Sequence, residues 1–313
     1  IVLLPSKTIA LGSIILSNQN LSAEDIIKAV KKNISNKYEL RLTNKKFFFR
    51  ESGAQEFKTL KVNIKKSSIK EFDQAFWDST LLKVPRKNEW HTEVLGNLYG
   101  DFTRENQKLE IEKALELEDK KTTAIFNNIE KAFDTILKQN VKKDSYFKLR
   151  MGIISTKLED VDFNSSDKDT LSPDEKLAQK KESFSKWKKR LLTNVISSLF
   201  KKEALSISVL EKSNRYDFEK VNFTYFNDTP VYVLEFKPNR NEDFVGKLYV
   251  DADEMALIRV EYKNIQNLRD LSLLGFSFTH YFKEATIQFK KMNTGKYAVE
   301  YLELTDQFET GVN

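Results

Sequence analysis

The sequence contains no cysteine among its 313 residues. Disulfides, thiolate-bound metals and thiol nucleophiles are thereby excluded, while the compartment stays open. Glycine is scarce at nine residues, and no GxSxG elbow, P-loop or GxGxxG pattern occurs, so a backbone loop that cradles phosphate has little to be built from. Histidine is scarcer, with His91 and His280 alone. Neither has a ligating partner at helical spacing, and HExxH is absent. His91 lies in Trp90-His91-Thr92-Glu93 and reads as a surface or half-buried residue, with a mono-His site using Glu93 as the sharper alternative. His280, among Phe278, Tyr281 and Phe282, reads as packing. No apolar run approaches the length that spans a bilayer. These absences point to a protein that is not an enzyme and needs no cofactor or metal. One catalytic arrangement stays open, a pair of carboxylates at a set separation, as in glycoside hydrolysis.

What is present is globular in kind. Hydrophobic residues make up 40% and charged ones 31%, with 23 Phe and 11 Tyr, enough aromatic bulk to bury a core. The net charge is +6 and the pI about 9.0. The 52 basic residues are nevertheless interleaved with 46 acidic ones. Nucleic-acid domains cluster their basic residues on one face, so this pattern reads as a lysine-rich solvated surface with no nucleic-acid partner.

Along the chain, 1–17 reads as two short apolar strands broken at Pro5, the tail of a preceding β-domain. The chain opens at Ile1 without Met and reads as a mature or trimmed fragment that a signal peptide could precede. Ser22 caps a helix, with Asp25 three residues on and Ile26, Ile27, Val30 and Ile34 on one face. Strands are expected at 46–51 and 57–65, and helices at 68–83, 107–119 and 122–139. A strand follows at 145–156. The acidic, serine-rich stretch 157–174 is a loop, and Ser172-Pro173 starts a helix running to about 200. That helix carries Lys186, Lys188, Lys189 and Arg190 around Trp187, either an interfacial membrane helix or a surface helix packed through Trp187 and Leu191.

From 204 the hydrophobic period changes to two. Strands are expected at 204–212, 215–226, 230–238, 245–251, 256–263, 273–282, 284–291 and 296–304, joined by short turns. The fold class is therefore α+β: an N-terminal helical segment with short strands, then a C-terminal curved antiparallel sheet of about six to eight strands. The divisions are 1–17, a mixed helical segment 18–160, a loop 161–174 and a helix plus sheet 175–313, with 18–313 forming one structural unit. The acidic turn Asp251-Ala252-Asp253-Glu254 is either a Ca²⁺ loop or an ordinary β-turn. Aromatics are in excess on the strands. Phe223, Tyr225, Tyr232, Phe236 and Tyr249 are expected to line the concave face of the sheet, as core or as an apolar cleft for a lipid chain or peptide.

Residues 23–51 (AEDIIKAVKKNISNKYELRLTNKKFFFRE) resemble the start of a region shared by Bacteroidota-type envelope proteins of the carboxypeptidase-like regulatory domain-containing family. Further stretches match in order at 72–100, 144–153, 230–262 and 273–278, so the resemblance spans nearly the whole chain. The 230–262 stretch is also similar to periplasmic lipoprotein-sorting carriers, in which a curved antiparallel half-barrel holds acyl chains. The resemblance implies export by a signal peptide, a periplasmic location at the outer membrane and a hydrophobic ligand, and it does not imply peptidase activity. The tripeptides Asp134-Thr135-Ile136 and Asp169-Thr170-Leu171 are similar to O-glycosylation sites of such bacteria. Two functions compete. One is an accessory subunit docked to an outer-membrane protein complex that assembles, secretes or imports macromolecules, which the helical insert at 67–140 favours. The other is a carrier of lipid or lipoprotein acyl chains, which must keep an open apolar cavity.

Overall fold

The computed structural model describes residues 21–101, 103–140, 147–151, 154–158, 172–201, 204–205, 207–273 and 275–313. The strands expected at 1–17, and Thr170 with most of its loop, lie outside these residues.

Helix α1 (Ala23–Lys37) starts where Ser22 Oγ accepts from the Asp25 amide at 3.1 Å. Glu24 and Asp25 lie in its first turn and Lys37 in its last, matching the helix dipole. Strand β1 (Thr43–Leu60) is one 18-residue strand where two were expected. Its middle stays in the sheet because Gly53 pairs with Trp90 on one side and Asp306 on the other. Helix α2 (Gln74–Lys83) is capped by Asp73, whose carboxylate accepts from the Phe76 amide at 2.8 Å, and is shorter than the expected 68–83. Strands β2 (Lys87–Gly100) and β3 (Lys108–Glu118) follow. The helix expected at 107–119 is thus a strand. Leu109 and Ile111 alternate as a strand requires, and a bulge then shifts the phase, so that Ala114, Leu115 and Leu117 complete an apparently helical spacing among strong helix formers. Helix α3 (Lys120–Asn140) matches its expected span, and β4 (Phe147–Met151) pairs with β5 (Ile154–Leu158) as a hairpin.

Helix α4 (Pro173–Ser198) begins with a full capping box of Ser172 and Glu175. The strand expected at 204–212 is instead the short β6 (Phe200–Lys201) and β7 (Ala204–Leu205), then a single turn of helix, α5 (Ser208–Glu211). From there the period of two holds. The strands are β8 (Tyr216–Phe226), β9 (Thr229–Pro238), β10 (Phe244–Asp251), β11 (Leu257–Asn264), β12 (Arg269–Leu273), β13 (Phe276–Lys291) and β14 (Tyr297–Val312). The β8–β9 hairpin turns on Asn227 (φ 46°) and Asp228 (φ 64°), the positive-φ pair a tight two-residue turn needs.

The protein is mixed α+β, with one large open sheet of ten strands and a few helices. The strand order is β3-β2-β1-β14-β13-β11-β10-β9-β8, with β12 beside β13. Strand β1 pairs parallel to β14, and the other ladders of this sheet are antiparallel. The N-terminal meander β1–β3 is therefore welded to the C-terminal meander edge to edge.

One face of the sheet carries the core. Phe47 and Phe49 of β1, Leu234 and Phe236 of β9, Leu248 of β10 and Leu302 of β14 are buried there under Ile26, Ile27 and Val30 of α1 and Leu192 and Ile196 of α4. Phe126 of α3 meets Phe57 on the same face, with ring centroids 6.4 Å apart. Behind it Phe72, Phe76, Trp77 and Phe133 form a satellite cluster, with Phe76 and Phe133 at 5.2 Å.

The basic run of α4 divides between two environments. Trp187 is 60% exposed while Leu191 packs against the core, and Lys188 is 4% exposed with its ammonium contacting the Glu51 carboxylate between helix and sheet. Removing one partner of such a pair strands the other charge, while replacing both with apolar groups does not. Lys188→Met alone should cost about 3 kcal/mol, and the double variant Lys188→Met, Glu51→Leu should recover most of it. Denaturant unfolding of both variants checks this, and equal destabilisation by the two would show that the pair does not couple α4 to the sheet.

Candidate functional site

Between the end of α4, α5 and the sheet lies a cavity of about 320 Å³. Leu199, Ile207 and Val209 form its helical wall, and Phe236, Val260 and Ile287 its sheet wall. All six are buried. Gly246 makes room for Phe236: a Cβ there would lie 2.8 Å from the Phe236 ring and 1.9 Å from the Glu261 carbonyl oxygen. Exposed Ser198, Ser208, Glu211 and Lys212 form the rim, which opens to solvent. A strap crosses beside it. Lys212 Nζ and Arg215 Nη1 grip Glu242 at 2.9 and 2.7 Å, tying the α5 segment to the β9–β10 loop and holding the Glu242 carboxyl below its usual range.

The aromatic residues expected on one concave face divide between two. Tyr232 and Phe236 are buried on the helix-covered face, and Phe236 lines the cavity. Phe223 packs on Tyr232 with centroids 5.2 Å apart, outside the cavity. Tyr225 shares their face but is 44% exposed at the hairpin end. Tyr249 lies on the opposite face, because it pairs with Val233 whereas Val250 pairs with Tyr232. There its hydroxyl donates to Glu261 at 3.2 Å, and Arg259 sits over its ring and that of Phe226. The strand alternation was legible, but the strand registers decide which phase is covered. Sequence reasoning missed Leu199, Ile207, Val209, Tyr216 and Tyr262 of the cavity, which come from a misassigned segment and distant strands.

Two constellations join residues far apart in sequence. His91 Nδ1 lies 2.9 Å from Ser52 Oγ on the open face of the sheet. Among the described residues no carboxylate meets the other ring nitrogen, and the neighbouring backbone amides belong to the sheet, so nothing there would hold an oxyanion. His280 is more than packing: its Nε2 is 2.8 Å from Asp306 Oδ1, which also takes Lys283 Nζ at 3.1 Å. On the open face Arg50 lies between two carboxylates, Glu93 at 2.8 Å and Glu303 at 3.5 Å. The guanidinium neutralises both, in contrast to the free acid and base that glycoside hydrolysis uses.

The turn after β10 behaves as a turn. Asp251 Oδ1 accepts from the amides of Asp253 and Glu254, both at 2.9 Å, and Oδ2 accepts from Tyr297 at 2.7 Å. Glu254 pairs with Lys37 and Lys291. Among the described residues no group of three or more His, Asp or Glu is placed to hold a metal. Thr135 is on α3, where its hydroxyl donates to the Lys131 carbonyl at 2.8 Å.

At the end of the sheet, Lys45 is half-buried on the core side, its ammonium donating to Thr43 Oγ1 at 2.9 Å. Burial pulls its pKa down to about 8, against the attraction of Asp101 and Glu39. The unfolded lysine stays charged to about 10.4. Between those values the unfolded state binds more protons, so this group destabilises the fold at neutral pH and the cost lifts as pH rises from about 8. Lys45→Met should therefore stabilise the protein at pH 7 by about 1–3 kcal/mol, with the gain fading between pH ~8 and pH ~10.4. Urea melts of the two proteins across that range test it, and a gain independent of pH would contradict it.

The chain matches no family model, no curated protein and no solved structure.

Proposed function

We propose that this chain is a non-catalytic binding module of the bacterial cell envelope that holds an apolar chain between its sheet and its helices. The observation that carries this is the cavity of about 320 Å³, walled by buried aliphatic and aromatic side chains and open at a polar rim. Ligand sites combine such walls with a few polar groups, and most have volumes of about 300–1,000 Å³. This one is at the small end, with room for one chain and not for a bulky multichain lipid. The resemblance to envelope proteins and lipoprotein carriers supports the same reading, with the helix-covered sheet in the role of the half-barrel and a periplasmic location at the outer membrane. Among the described residues no helix is long and apolar enough to cross a membrane.

A separate observation favours the accessory-subunit reading. Leu115 and Leu117 of β3 are exposed on the open face beside Arg50, Ser52, His91 and Glu93. An outer-membrane complex subunit seated there would cover that mixed apolar and charged strip, as protein interfaces do.

The neutral dye phenylnaphthylamine, which fluoresces in apolar surroundings, should bind the purified protein in a saturable way. Val209→Phe and Ile207→Trp, which project bulk into the cavity, should abolish that signal without lowering the melting temperature by more than a few degrees. Saturable binding unchanged in both variants would place the dye elsewhere and remove the support for the cavity.

A further inference from the structure

One end of the sheet is apolar where strand connections are ordinarily polar. Between β12 and β13 the sequence reads Leu273-Leu274-Gly275-Phe276, whereas tight hairpin connections favour Asn, Asp or Ser around their glycine. Gly275 supplies the positive φ, 83°. Leu273 is 56% exposed and Phe276 42%, and the two face each other across the ladder, with Leu271 opposite Phe278 two positions in. Among the described residues β12 has no strand on its outer side. An exposed apolar ridge on an open strand edge invites association, and a surface that keeps one is a surface for binding.

The same end is basic. Val312 pairs with Phe276 on one side and with Leu60 on the other, which sets Leu60 about 10 Å from Phe276 at the usual strand spacing. Just beyond Leu60, the Lys61 amide donates to the Val312 carbonyl at 2.8 Å. Gln74 fixes the residues that follow, accepting from the Ile64 amide and donating to the Val62 carbonyl. Lys61, Lys65, Lys66 and Lys70 are exposed, and among the described residues none of their ammonium groups has an acidic partner. Helix α2 adds Leu82, 86% exposed, beside Lys83. The acids of this segment are Glu71, Asp73 and Asp78. Asp73 caps α2, and Asp78 accepts from Gln74 at 2.8 Å. The basic run of α4, by contrast, is largely paired: Lys180 with Glu116, Lys186 with Glu182 and Lys188 with Glu51.

We propose that this end of the sheet docks on an anionic phospholipid surface, with Leu271, Leu273 and Phe276 in the headgroup layer and Lys61, Lys65 and Lys66 against the phosphates. Apolar contact and electrostatic attraction add in such binding, and each lysine held near an anionic surface strengthens it about fivefold. Charge selects this occupant over a second copy of the chain, which would set unpaired lysines against unpaired lysines. Shape favours it too: a ridge of strand ends enters a soft headgroup layer directly, whereas a protein partner must match it with a groove. None of these residues lines the cavity beside α5.

Co-sedimentation with vesicles of phosphatidylcholine, alone or mixed in equal parts with phosphatidylglycerol, tests this. The chain should bind the mixed vesicles, bind phosphatidylcholine alone roughly tenfold or more weakly, and be released as salt rises to about 0.5 M, where surface charge is screened. Lys61→Gln, Lys65→Gln and Lys66→Gln together should weaken binding by roughly tenfold or more. Leu273→Ser with Phe276→Ser should weaken it by roughly tenfold. All five side chains are exposed, so both variants should melt with the wild type and treat phenylnaphthylamine as the wild type does when no vesicles are present. The control Lys189→Gln, Arg190→Gln in α4 should bind the mixed vesicles normally. Binding lost in that control and kept in the other two variants moves the contact to α4 and overturns the proposal. Equal binding to both kinds of vesicle overturns it as well. Binding to neither does the same and leaves an acidic protein as the partner for this end, while the cavity stands or falls separately on the dye.

Discussion

The parallel ladder between β1 and β14 is the contact on which the rest depends. It joins Phe48 to Tyr301 and runs on to Leu60 and Val312, across some 250 positions of sequence. Without it the chain would hold two separate antiparallel meanders, each with a long open edge of unpaired backbone groups. The weld is prepared just upstream. As the chain leaves α1, Glu39 N donates to the Tyr297 carbonyl at 2.8 Å, and the buried Tyr38 ring packs against Phe289 at 5.3 Å while its hydroxyl reaches Leu257. One residue thus ties helix, junction and β11 together. Closing so long a loop is entropically costly and pays back only when the ladder forms as a whole. The two halves of the chain are therefore expected to fold as one cooperative unit.

With the sheet continuous, one face can be covered throughout by helices from both halves. The opposite face manages with side chains alone. There Glu93, Arg50 and Glu303 form one charged chain across three strands, and Arg259, Glu261 and Tyr249 another. Opposite charges set against each other across strands offer few apolar contacts to a stray edge or face, which suits a broad sheet surface left without a layer over it.

Much of this was legible in the sequence where a local rule is sufficient. Ser22 and Ser172 mark helix starts through their side-chain caps, and the alternation from Tyr216 onward marks the strands. Legibility failed where tertiary pairing decides. The β3 bulge makes 108–118 read as a helix, and no local signal splits the run between Phe200 and Glu211 into two short strands and a turn. The site was less visible than the fold. Phe236 stood out as an aromatic on a strand, but Tyr249 carries an identical signature on the wrong face, since a sequence shows alternation and not its phase against the core. Tyr262 reaches the cavity wall only through the register of β11 against β10 and β13, which no local signal gives.

The cavity also has to be reconciled with stability. At the measured cost of apolar voids, a sealed and empty space of about 320 Å³ would cost on the order of 8 kcal/mol, comparable to the whole net stability of a domain. A fold cannot carry that burden as an accident of packing. Two features relieve it here. The rim of Ser198, Ser208, Glu211 and Lys212 is exposed, so water can enter, and the phenols of Tyr216 and Tyr262 give that water donors to bind. The free protein is then stable with a hydrated cleft. A ligand that displaces the water must replace those hydrogen bonds or lose affinity, and whatever it gains is added to the stability of the fold in proportion to its occupancy. The α5 segment that closes the cavity is a single helical turn held by Glu242 to Lys212 and Arg215. Its Val209 and Leu210 are buried in the core, so the order of that turn depends on the same apolar wall that a ligand would touch.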